Sequence, residues 1–348
     1  MSARLDALTT WLHEVLHSAA DNTSQSAGFQ LAPASADASF RRYFRVTGPA
    51  ITGCFDGVGE SLIVMDAPPD KEDSYPFVVI SSLLADAGLN VPRVFAKDLA
   101  QGFLLLSDLG TQAYLDALNE HTVESLYEDA LDALFKMQCN VSQHITELPV
   151  YDETVLSNEM TLFIDWYCQR YCKWSFTDKQ RTRLDRVFQL LCATALAQPQ
   201  VFVHRDYHSR NLMAMAQHSV HGNPGILDFQ DAVLGPVTYD LVSLLRDCYI
   251  DWPRPQVEQW ALGYLHRVAS AGLISSAPDA TYLRWFDWMG VQRHLKATGI
   301  FARLHLRDNK SGYLADIPRT LAYVRDVSAR YPELRDLHTL LDELAHRA

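Results

Sequence analysis

Residues 201–229 constrain this chain more than any other stretch. Val201 to Val203 form a short apolar run, the chain then reads HRDYHSRN from His204 to Asn211, and LMAM and a polar turn lead to ILDF, ending at Phe229. Apolar runs of this length, bounded by turn-forming residues, read as short buried strands. Two polar clusters therefore stand at the ends of core strands, as a hairpin presents polar groups at one mouth. Asp and Asn favour turns for local reasons, so either cluster alone would pass as a loop. The ordered pair, each half preceded by an apolar strand, points to chemistry.

The chemistry that suits these residues is phosphoryl transfer. It needs a carboxylate to orient and deprotonate an acceptor hydroxyl, and hard oxygen ligands for magnesium on a triphosphate. Asp206 fits the first role; Asn211, five positions later, and Asp228 fit the second. H-R-D-x-x-x-x-N followed by D-F is the catalytic and metal-binding pattern of protein kinases. His204 is expected to be a buried strut for the loop. Arg205 and His208 are placed to pair locally or to meet substrate, and the roles of Gln230 and Asp231 stay open.

The rest of the chain divides by pattern. Leu5, Leu8, Trp11, Leu12, Val15 and Leu16 recur at helical spacing, so the N-terminus is an amphipathic helix. Extended runs follow around Tyr43 to Val46, Ser61 to Met65, Val94 and up to Leu106, separated by turn-rich stretches, with one helix ending at Gly88. From Val123 onward the periods are long and helical, and Thr177 and Gln180 stand in capping-box positions. The expected fold is α+β: a small antiparallel-sheet lobe over 1–108, and a mainly helical lobe over 109–348 that carries the catalytic residues.

At 348 residues and 48% hydrophobic, the chain can bury cores for two such units. A net charge of -12 argues against sequence-blind nucleic-acid binding. No segment reads as a membrane span or a cleaved leader, and six scattered cysteines read as reduced core thiols, so a cytoplasmic protein is expected. His13, Glu14 and His17 spell H-E-x-x-H, the zinc-protease pattern, but without an obvious third ligand they read as a solvated helix face. Trp252, Trp260, Trp285 and Trp288 are expected in helix packing before stacking on a ligand ring.

The catalytic residues, with VTYDLVSLLRD at 237–247, resemble the aminoglycoside phosphotransferase and choline kinase superfamily over nearly the whole chain. A closer resemblance is to bacterial N-acetylmuramate/N-acetylglucosamine anomeric kinases of peptidoglycan recycling. It is carried by DASFRRYFRV, VMDAPP, HRDYHSRNLM, LDFQDAVLGPVTYDLVSLLRD and QRHLKATGIFARL. The resemblance implies a bilobal protein-kinase-like fold, use of ATP and Mg2+, and transfer to the anomeric hydroxyl of an amino sugar. It also implies that Asp240 anchors the catalytic loop and that Ser107, Asp108 and Leu109 form the hinge that bonds adenine.

Two departures stand out. Asp37, Ala38, Ser39, Phe40 and Arg41 replace the glycine-rich phosphate loop, and Met65 and Asp66 occupy the strand position where a phosphate-binding Lys is expected. Arg41, Arg42 and Arg45 are the replacement cations to consider, and Arg45 with the backbone of Ser39 is the expectation. Strand alternation puts Tyr43 and Arg45 on one face, Arg42 and Phe44 on the other. A basic stretch containing Arg293, His294, Lys296, Arg303, His305, Arg307 and Lys310 offers cations for a muramate carboxylate, with Arg293 and Arg303 singled out. The cassette does not read the acceptor, so another alcohol or antibiotic kinase, or a nucleotide-binding module without transfer, stays open.

Overall fold

A computed structural model describes residues 3–19, 28–36, 40–55, 60–141, 148–215 and 222–346. The chain divides into two units: Met1–Gln112 with Met213–Asp231, and Ala113–Leu212 with Ala232–Ala348.

In chain order, the first stretch carries α1 (Ala3–Ala19), β1 (Gln30–Ala36), β2 (Arg42–Thr47), β3 (Ser61–Asp66), α2 (Tyr75–Asp86), β4 (Val94–Asp98) and β5 (Phe103–Ser107). Next come α3 (Tyr114–Ala117), α4 (Val123–Lys136), α5 (Glu153–Leu162), α6 (Asp178–Leu196) and β6 (Gln200–Val203). The rest comprises β7 (Leu212–Met213), β8 (Gly225–Ile226), β9 (Val233–Pro236), α7 (Tyr239–Leu245), α8 (Arg254–Ser270), α9 (Asp279–Asp308), α10 (Ile317–Arg330) and α11 (Arg335–Ala345).

The first unit is built on one antiparallel sheet in the order β1-β2-β3-β5-β4. The apolar stripe of α1, Leu8, Trp11, Leu12 and Leu16, is buried with Val46, Leu62, Val64, Phe103 and Leu105, and Phe44 packs against the same cluster. These strand residues alternate, so α1 covers one face of the sheet. The sequence pattern missed β1: QLAPASA has little alternation and contains Pro33, which an edge strand tolerates, and its pairing shifts register between Pro33 and Ser35.

A single cut after Asp108 would leave out the hairpin that returns to the first unit. Local bonds account for that return. The Ala214 N–H donates to the Gln112 carbonyl at 2.8 Å, and the Ile226 N–H donates to the Asn90 carbonyl at 2.8 Å. The Phe77 and Phe229 rings lie 4.9 Å apart.

The second unit is mainly helical, with β6 paired antiparallel to β9. Residues Phe163–Tyr171 continue from α5 in π-helical geometry. The expected capping box opens α6, the Thr177 hydroxyl accepting from the Gln180 N–H at 3.3 Å and the Gln180 side chain from the Thr177 N–H at 2.9 Å. Helix α9 buries polar residues along much of its length, Asp287, Gln292, Arg293, His294 and Thr298 among them. The six cysteines are free thiols. Among the described residues, no helix is long and apolar enough to cross a membrane.

Candidate active site

Strand β6 buries Val201, Phe202 and Val203 and delivers the chain to the polar loop. The loop is pinned from α7: Asp240 Oδ2 accepts from the His204 N–H at 2.7 Å, and Oδ1 accepts from the Arg205 N–H at 3.0 Å. Burial pushes the Asp240 carboxyl up to about 7, against these two bonds, which favour its ionised form. His204 is fully buried, and its Nδ1 accepts from the Asp206 N–H at 3.2 Å. Arg205 holds φ at 77°, a left-handed conformation uncommon outside glycine, Asn and Asp and concentrated at functional sites.

Beyond the turn, the Asn211 amide nitrogen donates to the Asp206 carbonyl at 3.0 Å, and its N–H to the His208 carbonyl at 2.9 Å. The loop thus closes on itself between the two residues that the motif pairs. Asp247 holds the middle, accepting from the Ser209 N–H at 2.9 Å and the Tyr249 N–H at 3.0 Å. Burial would raise the Asp206 carboxyl, but the positive field of the basic side chains around it, Lys296 foremost and Arg293 among them, outweighs it and leaves the group below the usual carboxylate range. Burial lowers the imidazole of His208, favouring the neutral ring.

The sequence pattern missed the group that organises these cations. Glu159 on α5 is buried, and its Oε1 accepts from Arg205 Nη2 at 2.6 Å and pairs with Lys296 Nζ at 2.9 Å. Its Oε2 accepts from the Tyr151 hydroxyl and from Gln292 Nε2 at 3.2 Å. Burial alone would raise this carboxyl; Lys296 and Arg205 hold it below its ordinary range. Lys296 also donates to the Tyr239 hydroxyl at 2.9 Å. A signal existed: Glu159 lies on the helix face of Leu156, Met160 and Phe163, and a carboxylate on an apolar stripe needs buried partners.

In the first unit, Asp228 also takes a left-handed φ, 65°, and its Oδ1 accepts from Gln230 Nε2 at 2.7 Å. An Asp carboxylate and an Asn amide oxygen are the hard donors that magnesium takes, and Asn211 is held in a fixed orientation by its bond to Asp206. The donor chemistry therefore fits that ion.

Arg41, Arg42 and Arg45 each have a carboxylate partner. Arg42 stands directly across from Asp66 in the β2–β3 register and binds it, with Arg4 of α1 at 2.6 Å on the other oxygen. This cluster lies on the face that α1 covers. Arg45 binds Asp108 at 2.5 Å and the Gly110 carbonyl at 2.9 Å, and Ser61 adds a 2.7 Å bond to the same carboxylate. Burial would raise Asp108, and these partners together bring it below its usual range. Arg45 thus balances the charge of Asp108, and its own charge is offset inside the unit. Arg41 pairs with Glu72 at 3.0 Å, ahead of α2, and the same carboxylate accepts from the Phe40 N–H at 3.1 Å. Ser107 ends β5, its hydroxyl accepting from the Arg93 N–H at 2.9 Å, and Leu109 packs against Gly225.

Several expected residues fall elsewhere. Ser39, with Asp37 and Ala38, lies outside the described residues. Arg303 sits ten residues beyond Arg293 on α9, about 15 Å along a helix, and no described contact links it to the catalytic loop. His294 bonds the Arg246 carbonyl at 2.8 Å and stacks on Tyr323. His13, Glu14 and His17 are exposed, and no group of three or more His, Cys, Asp or Glu among the described residues is arranged to hold a metal. Trp252 donates to the Tyr127 hydroxyl at 2.9 Å, Trp260 donates to Glu124 at 3.1 Å, and Trp288 is buried.

Comparison with known proteins agrees with this geometry. The profile of the phosphotransferase enzyme family (APH) matches residues 30–281. A protein of Pseudomonas putida named N-acetylmuramate/N-acetylglucosamine kinase is 47% identical over 343 residues, 98% of this chain and 96% of that one. Its namesake in Pseudomonas aeruginosa is 46% identical over 348 residues, 99% of this chain and 98% of that one. A choline/ethanolamine kinase family protein from Mesorhizobium loti has the same fold, with a TM-score of 0.59 at 13% identity, covering 95% of this chain and 99% of that one. The chain belongs to the phosphotransferase enzyme family, among the relatives named N-acetylmuramate/N-acetylglucosamine kinase.

Proposed function

We propose that this protein transfers the γ-phosphoryl group of ATP to the anomeric hydroxyl of N-acetylmuramate and N-acetylglucosamine, yielding the α-1-phosphates in peptidoglycan recycling. The observation that carries the reading is the 47% identity to a kinase of that name across almost the full length of both chains. The pinned loop that presents Asp206 supports it independently.

Asp206 orients the anomeric hydroxyl and accepts its proton. The hydroxyl oxygen bonds to the γ-phosphorus as the bond to the β-phosphate oxygen breaks, and ADP leaves. Asn211 and Asp228 would hold magnesium, which offsets the triphosphate charge. Ser107, Asp108 and Leu109 serve as the adenine hinge. With Arg42 on the α1 face and Arg45 bound to Asp108, Arg41 is the cation best suited to replace the absent strand Lys, and its pair with Glu72 corresponds to the Lys–Glu pair of protein kinases. Most of the catalysis is positioning and charge stabilisation.

The test is incubation with ATP, Mg2+ and each sugar, followed by phosphorus NMR of the product. A sugar phosphate coupled to the anomeric carbon supports the reading. Transfer only to aminoglycosides, choline or other alcohols, or ATP binding with no transfer, overturns it.

A further inference from the structure

Arg293 differs from every other cation around the catalytic loop. It projects from α9 beside Gln292 and one turn before Lys296, and only 6% of the residue is exposed. Its guanidinium lies 5.9 Å from the centre of the Tyr239 ring, as Lys296 lies 5.6 Å from it. Lys296 and Arg205 are both spent on Glu159. Arg293 makes no hydrogen bond or close ion pair with any described residue, and its Nε is buried without a partner. The nearest carboxylates do not answer it. Asp206 and Asp247 are both felt through space, but neither bonds it, and Asp247 accepts from two backbone N–H groups instead.

A buried, always-charged guanidinium with no bonded counter-ion is costly. Its cost falls if an anion completes the site. Around the loop, Arg205 and Lys296 are bonded to Glu159, and Asp240 and Asp247 accept from backbone N–H groups of the loop. Arg293 is the buried cation there that no carboxylate bonds. A planar guanidinium matches a carboxylate through two parallel N–H bonds. Of the two sugars, only N-acetylmuramate carries a carboxylate, on its lactyl ether.

We propose that Arg293 is the specificity-determining residue that receives the lactyl carboxylate of N-acetylmuramate, while Glu159 withholds Lys296 and Arg205 from that task. This rests on the sugar-kinase reading above and adds to it a residue that separates the two acceptors. A neutral sugar leaves Arg293 uncompensated, so N-acetylglucosamine is bound without this contact.

The experiment compares kcat/KM for the two sugars in wild type, Arg293→Gln and Arg293→Lys. Arg293→Gln should lose about 10- to 100-fold more on N-acetylmuramate than on N-acetylglucosamine, the range of a charged hydrogen bond, with the excess in KM; its effect through Asp206 lowers kcat for both sugars alike, and Arg293→Lys should recover part of the excess. Equal loss on both sugars, or loss on neither, overturns the proposal. If Arg293→Gln does not fold, wild-type protein suffices. Calorimetry should show N-acetylmuramate binding at least 10-fold tighter than its methyl ester, and equal affinities overturn the proposal. Failure of the wild type to phosphorylate either sugar would refute the sugar-kinase reading instead, while the acid-against-ester comparison still reports on Arg293.

Discussion

Gly299 of α9 lies directly against the backbone of Leu162. A Cβ added at Gly299 would stand 2.3 Å from the Leu162 carbonyl carbon and 2.5 Å from the Phe163 nitrogen. Lys296 is one turn before Gly299 and Glu159 is one turn before Leu162, so this backbone contact sets the separation across which the Glu159–Lys296 bridge forms at 2.9 Å. Gly299→Ala should therefore cost at least the 1–3 kcal/mol usual for overpacking, because the obstacle is backbone and not a movable side chain. It should also lower kcat by loosening the cations around Asp206. Gly290, on the same helix, would place its Cβ no closer than 3.6 Å to its nearest neighbour, so Gly290→Ala should leave stability unchanged or slightly raised. Thermal unfolding of the two variants checks this; equal shifts would refute the packing account.

The roles assigned to the two aspartates separate by readout. Asp206→Asn keeps the side chain's shape and should lower kcat by about 10²- to 10⁴-fold, the range for loss of a general base, with ATP affinity within a few-fold of wild type. Asp228→Asn should weaken Mg2+-dependent nucleotide binding as well as transfer. Single-turnover kinetics beside nucleotide titration with and without Mg2+ distinguishes them. Substantial transfer by Asp206→Asn removes it from the role of base.

Much of the candidate site was legible because it is local. Asp206, Asn211 and Asp228 occur in a fixed order at the ends of apolar strands, and their spacing is a property of the chain itself. The helix of α1, the cap of α6 and the core strands of the sheet follow from periodicity and turn residues in the same way. Long-range pairing is what escaped. Glu159 is 46 residues from Arg205, and its partner Lys296 lies on a helix that starts at Asp279, so no window of sequence contains the network. The charge of Arg45 is visible locally, whereas its bond to Asp108, 63 residues away, is not. β1 was hidden for a different reason: an edge strand with Pro33 needs little apolar alternation.

The three N-terminal arginines carry a further prediction. Arg42 and Arg4 share Asp66, a carboxylate with no exposure, on the face beneath α1. Arg42→Ala leaves Arg4 to neutralise Asp66, so its effect should be on stability and small for nucleotide. Arg41→Ala, which frees Glu72, should raise KM for ATP by about tenfold, the scale of one charged hydrogen bond, and leave KM for the sugar unchanged. Steady-state kinetics with ATP varied at saturating sugar checks this. The same change in both variants would remove Arg41 from the triphosphate.

His294 supplies a pH dependence that is independent of catalysis. The ring is 1% exposed, stacks on Tyr323 at 4.9 Å and bonds the Arg246 carbonyl through Nε2 at 2.8 Å. Burial lowers its pKa to about 3, against the raising effect of that carbonyl bond and with the help of Arg293 and Arg246. In the unfolded chain the ring titrates near the ordinary value of about 6.5. Between these values the unfolded state binds a proton that the folded state does not, so stability is full above about 6.5 and falls as pH drops towards 3. From pH 7 to pH 5 this group alone should remove about 2 kcal/mol. His294→Gln keeps a donor and cannot titrate. Carboxylates contribute equally to both proteins, so the difference between their urea-unfolding free energies should change by that amount over this interval and stay constant above about pH 7.5. Parallel curves from pH 7 to 5 would mean that the buried ring takes up its proton inside the fold.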